Sequence, residues 1–190
     1  AQQPARWVDH RPAAAAEANG GMVIVPPMAI MDLGFMAFIA DPGGAAIGLW
    51  QAATFPGVAV LGDPGTPAWF ELHTRDYDAA LAFYKEVFGW DTRTMGDTSE
   101  FRYTTVIEGD EELAGVMDAS GHLPEGVPSY WAVYFATDDT DATLARAVEL
   151  GGAIVTPAED TPYGRLAVAT DATGTPFSLL GPNLKVASVE

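Results

Sequence analysis

The spacing of apolar positions breaks the chain into short strands interrupted by helices. After Asp76 the apolar residues Ala80, Phe83, Tyr84, Val87 and Phe88 recur at i, i+3, i+4, i+7 and i+8, the period of one helical face. Thr74 or Asp76 stands where a helix start is capped, and Gly89 where a helix ends in the left-handed conformation. A second helix has the stripe Leu144, Ala147 and Val148 and stops at Gly151. The alanine-rich residues 12–19 predict a third. Strand-like runs fall at residues 91–95, 101–107 and 113–117 after one helix, and at 153–156, 166–170 and 176–180 after the next. Near the start they fall at 22–26, 35–40 and 46–51, and further strands carry Trp69 and residues 129–137.

The order repeats. Gly34, Ala37, Asp41, Gly44 and Leu49 match Gly164, Ala167, Asp171, Gly174 and Leu179 at a constant offset of 130. Gly20-Gly21 and Pro26 match Gly151-Gly152 and Pro157 at 131, the extra residue falling in a loop. A shorter repeat pairs Trp69, Asp76 and Gly89 with Trp131, Asp138 and Gly151 at an offset of 62. Each copy reads strand, helix, then three strands, a βαβββ unit. The expected class is therefore α+β, built of paired βαβββ units. Residues 1–51 read as the later part of one unit, with only a strand stub at 5–8. The Gly- and Pro-rich residues 52–66 read as a linker, 67–183 as a complete two-unit domain and 184–190 as a tail.

Composition narrows the function. The chain has 190 residues, no cysteine, and a net charge of −17 from 26 acidic and 9 basic side chains. Disulfides, cysteine-based zinc sites and thiol nucleophiles are excluded. That negative field repels phosphate backbones and anionic lipid, so neither nucleic acid nor membrane is an expected partner. The greasiest stretch, residues 22–39, is interrupted by Pro26, Pro27, Asp32 and Gly34. It does not read as a lipid-exposed span. With no visible secretory signal, the expected location is cytoplasmic. The chain opens on Ala1 and not on methionine, which leaves room for an upstream start. No Gly-x-Gly-x-x-Gly, Walker loop or Gly-x-Ser-x-Gly appears.

The helix Asp76-Tyr-Asp-Ala-Ala-Leu-Ala-Phe-Tyr-Lys-Glu-Val-Phe-Gly89 resembles the D-x-x-x-A-x-x-F-Y-x-x-x-L-G helix of the glyoxalase/bleomycin-resistance/dioxygenase (vicinal oxygen chelate) superfamily. Asp41-Pro-Gly-Gly44 and Asp171-Ala-Thr-Gly174 resemble its turn before the last strand. Gly48-Leu-Trp-Gln51, and Pro64 to Trp69 with Glu71-Leu72, are similar to a two-domain actinobacterial hydroxylase or glyoxalase-like subgroup. The resemblance implies that the paired units form a curved mixed sheet around a ligand cavity. It also implies metal ligands, usually one His on the first strand and one Glu on the last strand of each unit. The matching positions here are Trp69, Trp131 or Ala132, Gly115 or Val116, Ser178 and, in the opening fragment, Gly48. None offers a strong side-chain donor, so neither a metal nor another cofactor is expected.

The expected chemistry falls on other residues. Glu71 and His73 lie two apart on one strand and so on one face, with Trp69. In an enclosed site they would serve as an acid and a base; the alternative places Glu71 on a backbone group or arginine and His73 in water. Tyr103 and Tyr134 are candidate ligand-stacking or hydrogen-bonding residues, with core packing as the alternative. Trp69 and Trp131 are cavity wall or core. Arg165 is either a clamp for a ligand carboxylate or one half of a salt bridge. His10 and His122 read as surface residues. Asp138-Asp139-Thr140-Asp141 reads as a helix N-terminus and not as a metal loop. The expected function is binding of a small, partly aromatic metabolite or antibiotic in the central cavity, as a sequestering protein or a metal-independent enzyme. The alternatives are a metal-dependent lyase, isomerase or dioxygenase of the same superfamily, and a structural role in an oligomer. The opening fragment, with strongly apolar strands, needs cover, most simply from a second copy in a homodimer.

Overall fold

The computed structural model describes residues 11–184. The expected strand stub at 5–8, His10 and most of the tail lie outside the described residues. The chain divides into two compact units. The first combines residues up to Ala59 with Glu71–Trp131, and the second combines Val60–Phe70 with residues from Ala132 onward.

The first unit opens with α1 (Arg11–Ala18), then β1 (Met22–Ile30), β2 (Gly34–Ala40) and β3 (Ala46–Ala52), an antiparallel sheet in the order β1-β2-β3. It continues with the part of β4 (Pro67–Thr74) from Glu71 onward, then α2 (Tyr77–Phe88), β5 (Asp91–Asp97), β6 (Arg102–Glu108) and β7 (Glu111–Asp118). Here Glu71–Thr74 of β4 pair in parallel with Gly115–Asp118 of β7, while β5, β6 and β7 run antiparallel. A parallel return needs a long crossover, and α2, β5 and β6 supply it. In the second unit the part of β8 (Tyr130–Ala136) from Ala132 onward leads through α3 (Thr140–Glu149) to β9 (Ala153–Thr161), β10 (Gly164–Thr170) and β11 (Pro176–Gly181). Tyr134–Ala136 pair in parallel with Ser178–Leu180, and β11, β10 and β9 follow antiparallel. Each half of the repeat is therefore βαβββ, as the spacing predicts.

α2 forms for local reasons. The Asp76 carboxylate accepts from the Ala79 N–H at 3.1 Å. Gly89 (φ +68°) closes the helix in the left-handed region with its N–H on Lys85 O at 2.8 Å. Tyr77, Ala80, Phe83 and Tyr84 are the buried stripe. In α3 the capping carboxylate is that of Asp139, accepting from Ala142 N at 2.9 Å, as a helix N-terminus requires. Leu144 is buried and Ala147 packs beside it, but Val148 is 47% exposed, so the expected stripe is one residue too wide.

The caps also correct the shorter repeat. Thr74 Oγ1 accepts from Asp76 N, and Thr137 Oγ1 accepts from Asp139 N, both at 3.2 Å. The structural offset over these strands is thus 63, and Trp69 corresponds to Ala132. Trp131 goes to the helix side instead: its Nε1 donates to Tyr84 Oη at 2.8 Å, and its ring meets Tyr84 and Trp90 edge-on.

The opening fragment packs on the first βαβββ half. α1 lies against α2. The Tyr84 hydroxyl donates to Asp41 Oδ2 at 3.2 Å, and Ala45 N donates to Asp41 Oδ1 at 2.8 Å. Asp41 is 3% exposed, and burial pushes its pKa up against the lowering effect of those donors. Ser129 N donates to Gly43 O at 3.2 Å, fastening the Asp41–Gly44 turn to the start of β8.

Candidate functional site

Register decides what faces where. Leu72 pairs with Val116, and Val116 with Thr104. All three are fully buried, and Thr104 is hydrogen-bonded to Tyr77 of α2, so this row lies under the helix. The neighbouring rows, Glu71–Gly115–Thr105–Arg93 and His73–Met117–Tyr103–Gly96, occupy the opposite face. The parity expected for Glu71 and His73 is the one observed.

On that face three sequence candidates and one unforeseen residue meet. The Tyr103 hydroxyl donates to Glu71 Oε2 at 2.6 Å, a short charge-assisted bond. His73 Nε2 lies 3.0 Å from Glu71 Oε1. The ring nitrogen is nonetheless buried and, among the described residues, makes no hydrogen bond. The imidazole lies flat against the ring of Tyr130, with centroids 5.0 Å apart and planes 4° apart. Burial, and then the negative charge of Glu71, push the Tyr130 hydroxyl up from its ordinary pKa. Tyr103 is stacked on Phe101 at 5.7 Å and 6°. An inward carboxylate held by a phenol, beside an imidazole between it and a second phenol, can accept or donate a proton and can stack on a planar ring.

Tyr130 is not among the sequence candidates because the offset of 62 pairs Trp69 with Trp131, whose side chain lies on the helix side. Its sequence signal was available: it is two residues before Ala132, the true counterpart of Trp69.

The other candidates belong to the second unit. Arg165 takes the ion-pair alternative. It grips Asp141 with two nitrogens at 2.7 and 3.0 Å and Asp160 with a third at 2.8 Å. Those contacts hold the Asp141 carboxyl below its usual range, through the hydrogen bonds from Arg165. Trp69 and Tyr134 are half-buried, and Tyr134 stands opposite Ser178 on β11.

The donor set does not fit the metal that the superfamily pattern implies. Gly115 sits beside Glu71 with no side chain to offer, Val116 turns under α2, and Trp69, Ala132 and Ser178 fill the remaining positions. Among the described residues there is no group of three or more His, Cys, Asp or Glu side chains able to hold an ion. Nor is any described helix long and apolar enough to cross a membrane.

Residues 66–179 match the family model of the Glyoxalase/Bleomycin resistance protein/Dioxygenase superfamily. The chain is 44% identical over 165 residues to a Mycobacterium tuberculosis protein named "Putative glyoxylase CFP32", covering 86% of this chain and 62% of that one. It is 40% identical over 167 residues to "Anthracycline biosynthesis protein DnrV" of Streptomyces peucetius, covering 86% and 58%. The chain thus spans about three fifths of the length of these curated relatives. Among solved structures it is similar to methylmalonyl-CoA epimerase from Mycobacterium tuberculosis, with 18% identity, a TM-score of 0.46, and coverage of 70% of this chain and 98% of that one.

Proposed function

The chain belongs to the Glyoxalase/Bleomycin resistance protein/Dioxygenase superfamily, and from that premise we propose that it binds a small, partly aromatic organic molecule on the face carrying Glu71, His73, Tyr103 and Tyr130. The superfamily name alone does not select a reaction, because one fold hosts many. The observation that carries the reading is the Tyr103–Glu71–His73 arrangement, at 2.6 and 3.0 Å, bordered by the half-exposed aromatic rings of Phe101 and Tyr130. Polar groups converging among aromatic walls are the ordinary make-up of a ligand site. Glu71 and His73 give such a site an acid and a base without a metal. The protein then acts either by sequestering its ligand or as a metal-independent enzyme. The name of DnrV, which ties that relative to anthracycline biosynthesis, agrees with an aromatic ligand, and that of CFP32 with an enzyme.

Fluorescence titration of the purified chain with naphthalene-based probes tests this. Saturable binding is expected, unchanged by a chelator, with organic ligand and no stoichiometric metal in the protein as isolated. Stoichiometric nickel, iron, manganese or zinc, lost together with binding on chelation, would establish the metal-dependent lyase, isomerase or dioxygenase reading instead.

The homodimer belongs to the same proposal. Met22, Ile24, Met28 and Phe38 of the three-stranded sheet are exposed, Met22 to 60%. Apolar side chains gathered on one small sheet favour a protein contact. Sedimentation equilibrium is expected to show a dimer that Met28→Lys and Phe38→Glu together convert to monomer. A monomer at all concentrations for the unaltered chain would remove this part of the proposal.

A further inference from the structure

The site contains one unanswered polar atom. His73 Nε2 is the buried side-chain nitrogen or oxygen that, among the described residues, finds no hydrogen-bond partner. Leaving such a group unpaired costs about 1–3 kcal/mol. Glu71 Oε1 lies 3.0 Å away as an ion-pair contact but makes no hydrogen bond to it. The imidazole is therefore held for something that approaches from elsewhere.

Tyr130 lies parallel to the imidazole at 5.0 Å. It is itself 41% exposed, at the first position of β8. Turned outward from its place at the first position of β8, it would leave a flat imidazole face that another planar ring matches. The polar group on that ring is constrained by charge. Glu71, beside Nε2, repels a carboxylate or phosphate, whereas a neutral O–H can donate to the imidazole and lie against the carboxylate without that penalty.

We propose that the ligand is a neutral hydroxyarene. Its ring takes the place of the Tyr130 ring against His73, and its hydroxyl donates to His73 Nε2. No proton is transferred and no bond is made or broken. Glu71, fixed by the Tyr103 hydroxyl, rejects anionic analogues. Tyr130 is thus a displaceable cover and not a permanent wall. This rests on the reading that the face binds an aromatic molecule, and adds the class of that molecule and the group that selects it.

Titration of the unaltered chain with 2-naphthol, 2-methoxynaphthalene and 2-naphthoate decides it. 2-Naphthol is expected to bind at least about tenfold more tightly than 2-methoxynaphthalene, the value of one hydrogen bond, and 2-naphthoate most weakly. His73→Phe, which keeps the ring and removes the acceptor, is expected to erase the preference for the hydroxyl. Tyr130→Ala is expected to tighten both neutral probes, since no cover has to be displaced. Equal affinity for the two neutral probes in the unaltered chain, or tightest binding of the naphthoate, would overturn the hydroxyarene assignment while leaving aromatic binding intact. Weaker binding of both neutral probes by Tyr130→Ala would make Tyr130 a wall and overturn the displacement. Failure of all three probes to bind would remove the broader reading, and this one with it. The comparison among probes uses the unaltered chain, so it holds even where a variant folds poorly.

Discussion

Replacing Tyr84 with alanine is expected to destabilise the chain by about 4 kcal/mol, within the range for removing a fully buried aromatic ring. The Tyr84 ring meets Phe83, Phe88, Trp90 and Trp131 at centroid distances between 5.0 and 6.1 Å. Its hydroxyl accepts from Trp131 Nε1 and donates to Asp41 Oδ2. Tyr84→Phe separates the two contributions. It keeps the ring but strands a buried indole N–H and a carboxylate oxygen, for about 2 kcal/mol. The same variant changes the response to pH. Because burial raises the Asp41 pKa above 3.8 in the folded chain, the folded state holds that proton more tightly than the unfolded one. The stability this group contributes is complete below pH 3.8 and is lost as pH rises through the raised value. The Tyr84 hydroxyl stabilises the carboxylate, so removing it raises the folded pKa further and deepens the loss. Asp41→Asn is expected to abolish this slope. Urea midpoints measured from pH 3 to 8 test all three variants. A Tyr84→Phe curve parallel to that of the unaltered chain would show that the hydroxyl does not bear on Asp41.

Much of this was legible because the controlling interactions are local. The α2 stripe, its Asp76 cap and its Gly89 stop all lie within fourteen residues, and strand parity alone placed Glu71 and His73 on one face. Strand ends were harder to read where proline intervenes. β1 runs through Pro26 and Pro27 to Ile30, and β9 through Pro157 to Thr161, beyond the expected ends at 26 and 156. In β1 the ladder skips both prolines, with register shifts between Val25 and Met28. In β9 Pro157 lies at another shift, on the outermost strand of its four. Proline is tolerated at both kinds of position because no ladder N–H is required there. The contacts of the site were less accessible. The Tyr103–Glu71 bond joins residues 32 apart, and the stacking of Tyr130 on His73 depends on a strand whose alignment was one residue out. Arg165 shows the limit of charge counting: in so acidic a chain a partner was certain, but only the fold selects Asp141 and Asp160.

Gly152→Ala is expected to be about as damaging as any single methyl group added to the second unit, at about 3 kcal/mol or more. A Cβ there would stand 2.1 Å from Thr170 O and 3.0 Å from Ala147 O, and both are backbone atoms that no side-chain rotation can move. The position is set by the way the helix ends. Gly151 N donates to Val148 O at 3.0 Å and Gly152 N to Ala147 O at 2.9 Å, turning the chain sharply from α3 into β9, where Ala153 pairs with Thr170. The repeat reproduces the arrangement at the end of α1. Gly21 N donates to Ala16 O at 2.8 Å, and a Cβ on Gly21 would meet Ala40 O at 2.5 Å and the Phe83 ring at 2.6 Å. The two Gly-Gly pairs that mark the repeat thus have distinct jobs within each pair. The first glycine takes the left-handed turn, with φ of +83° at Gly20 and +93° at Gly151, and the second permits close approach to the neighbouring strand. Gly151→Ala should therefore cost only about 1 kcal/mol, the penalty for a side chain at positive φ. Hydrogen exchange should localise the damage of Gly152→Ala to β9 and β10, while global unfolding gives its size. Equal costs for the two alanines would mean that backbone conformation, and not close approach, is what the second glycine provides.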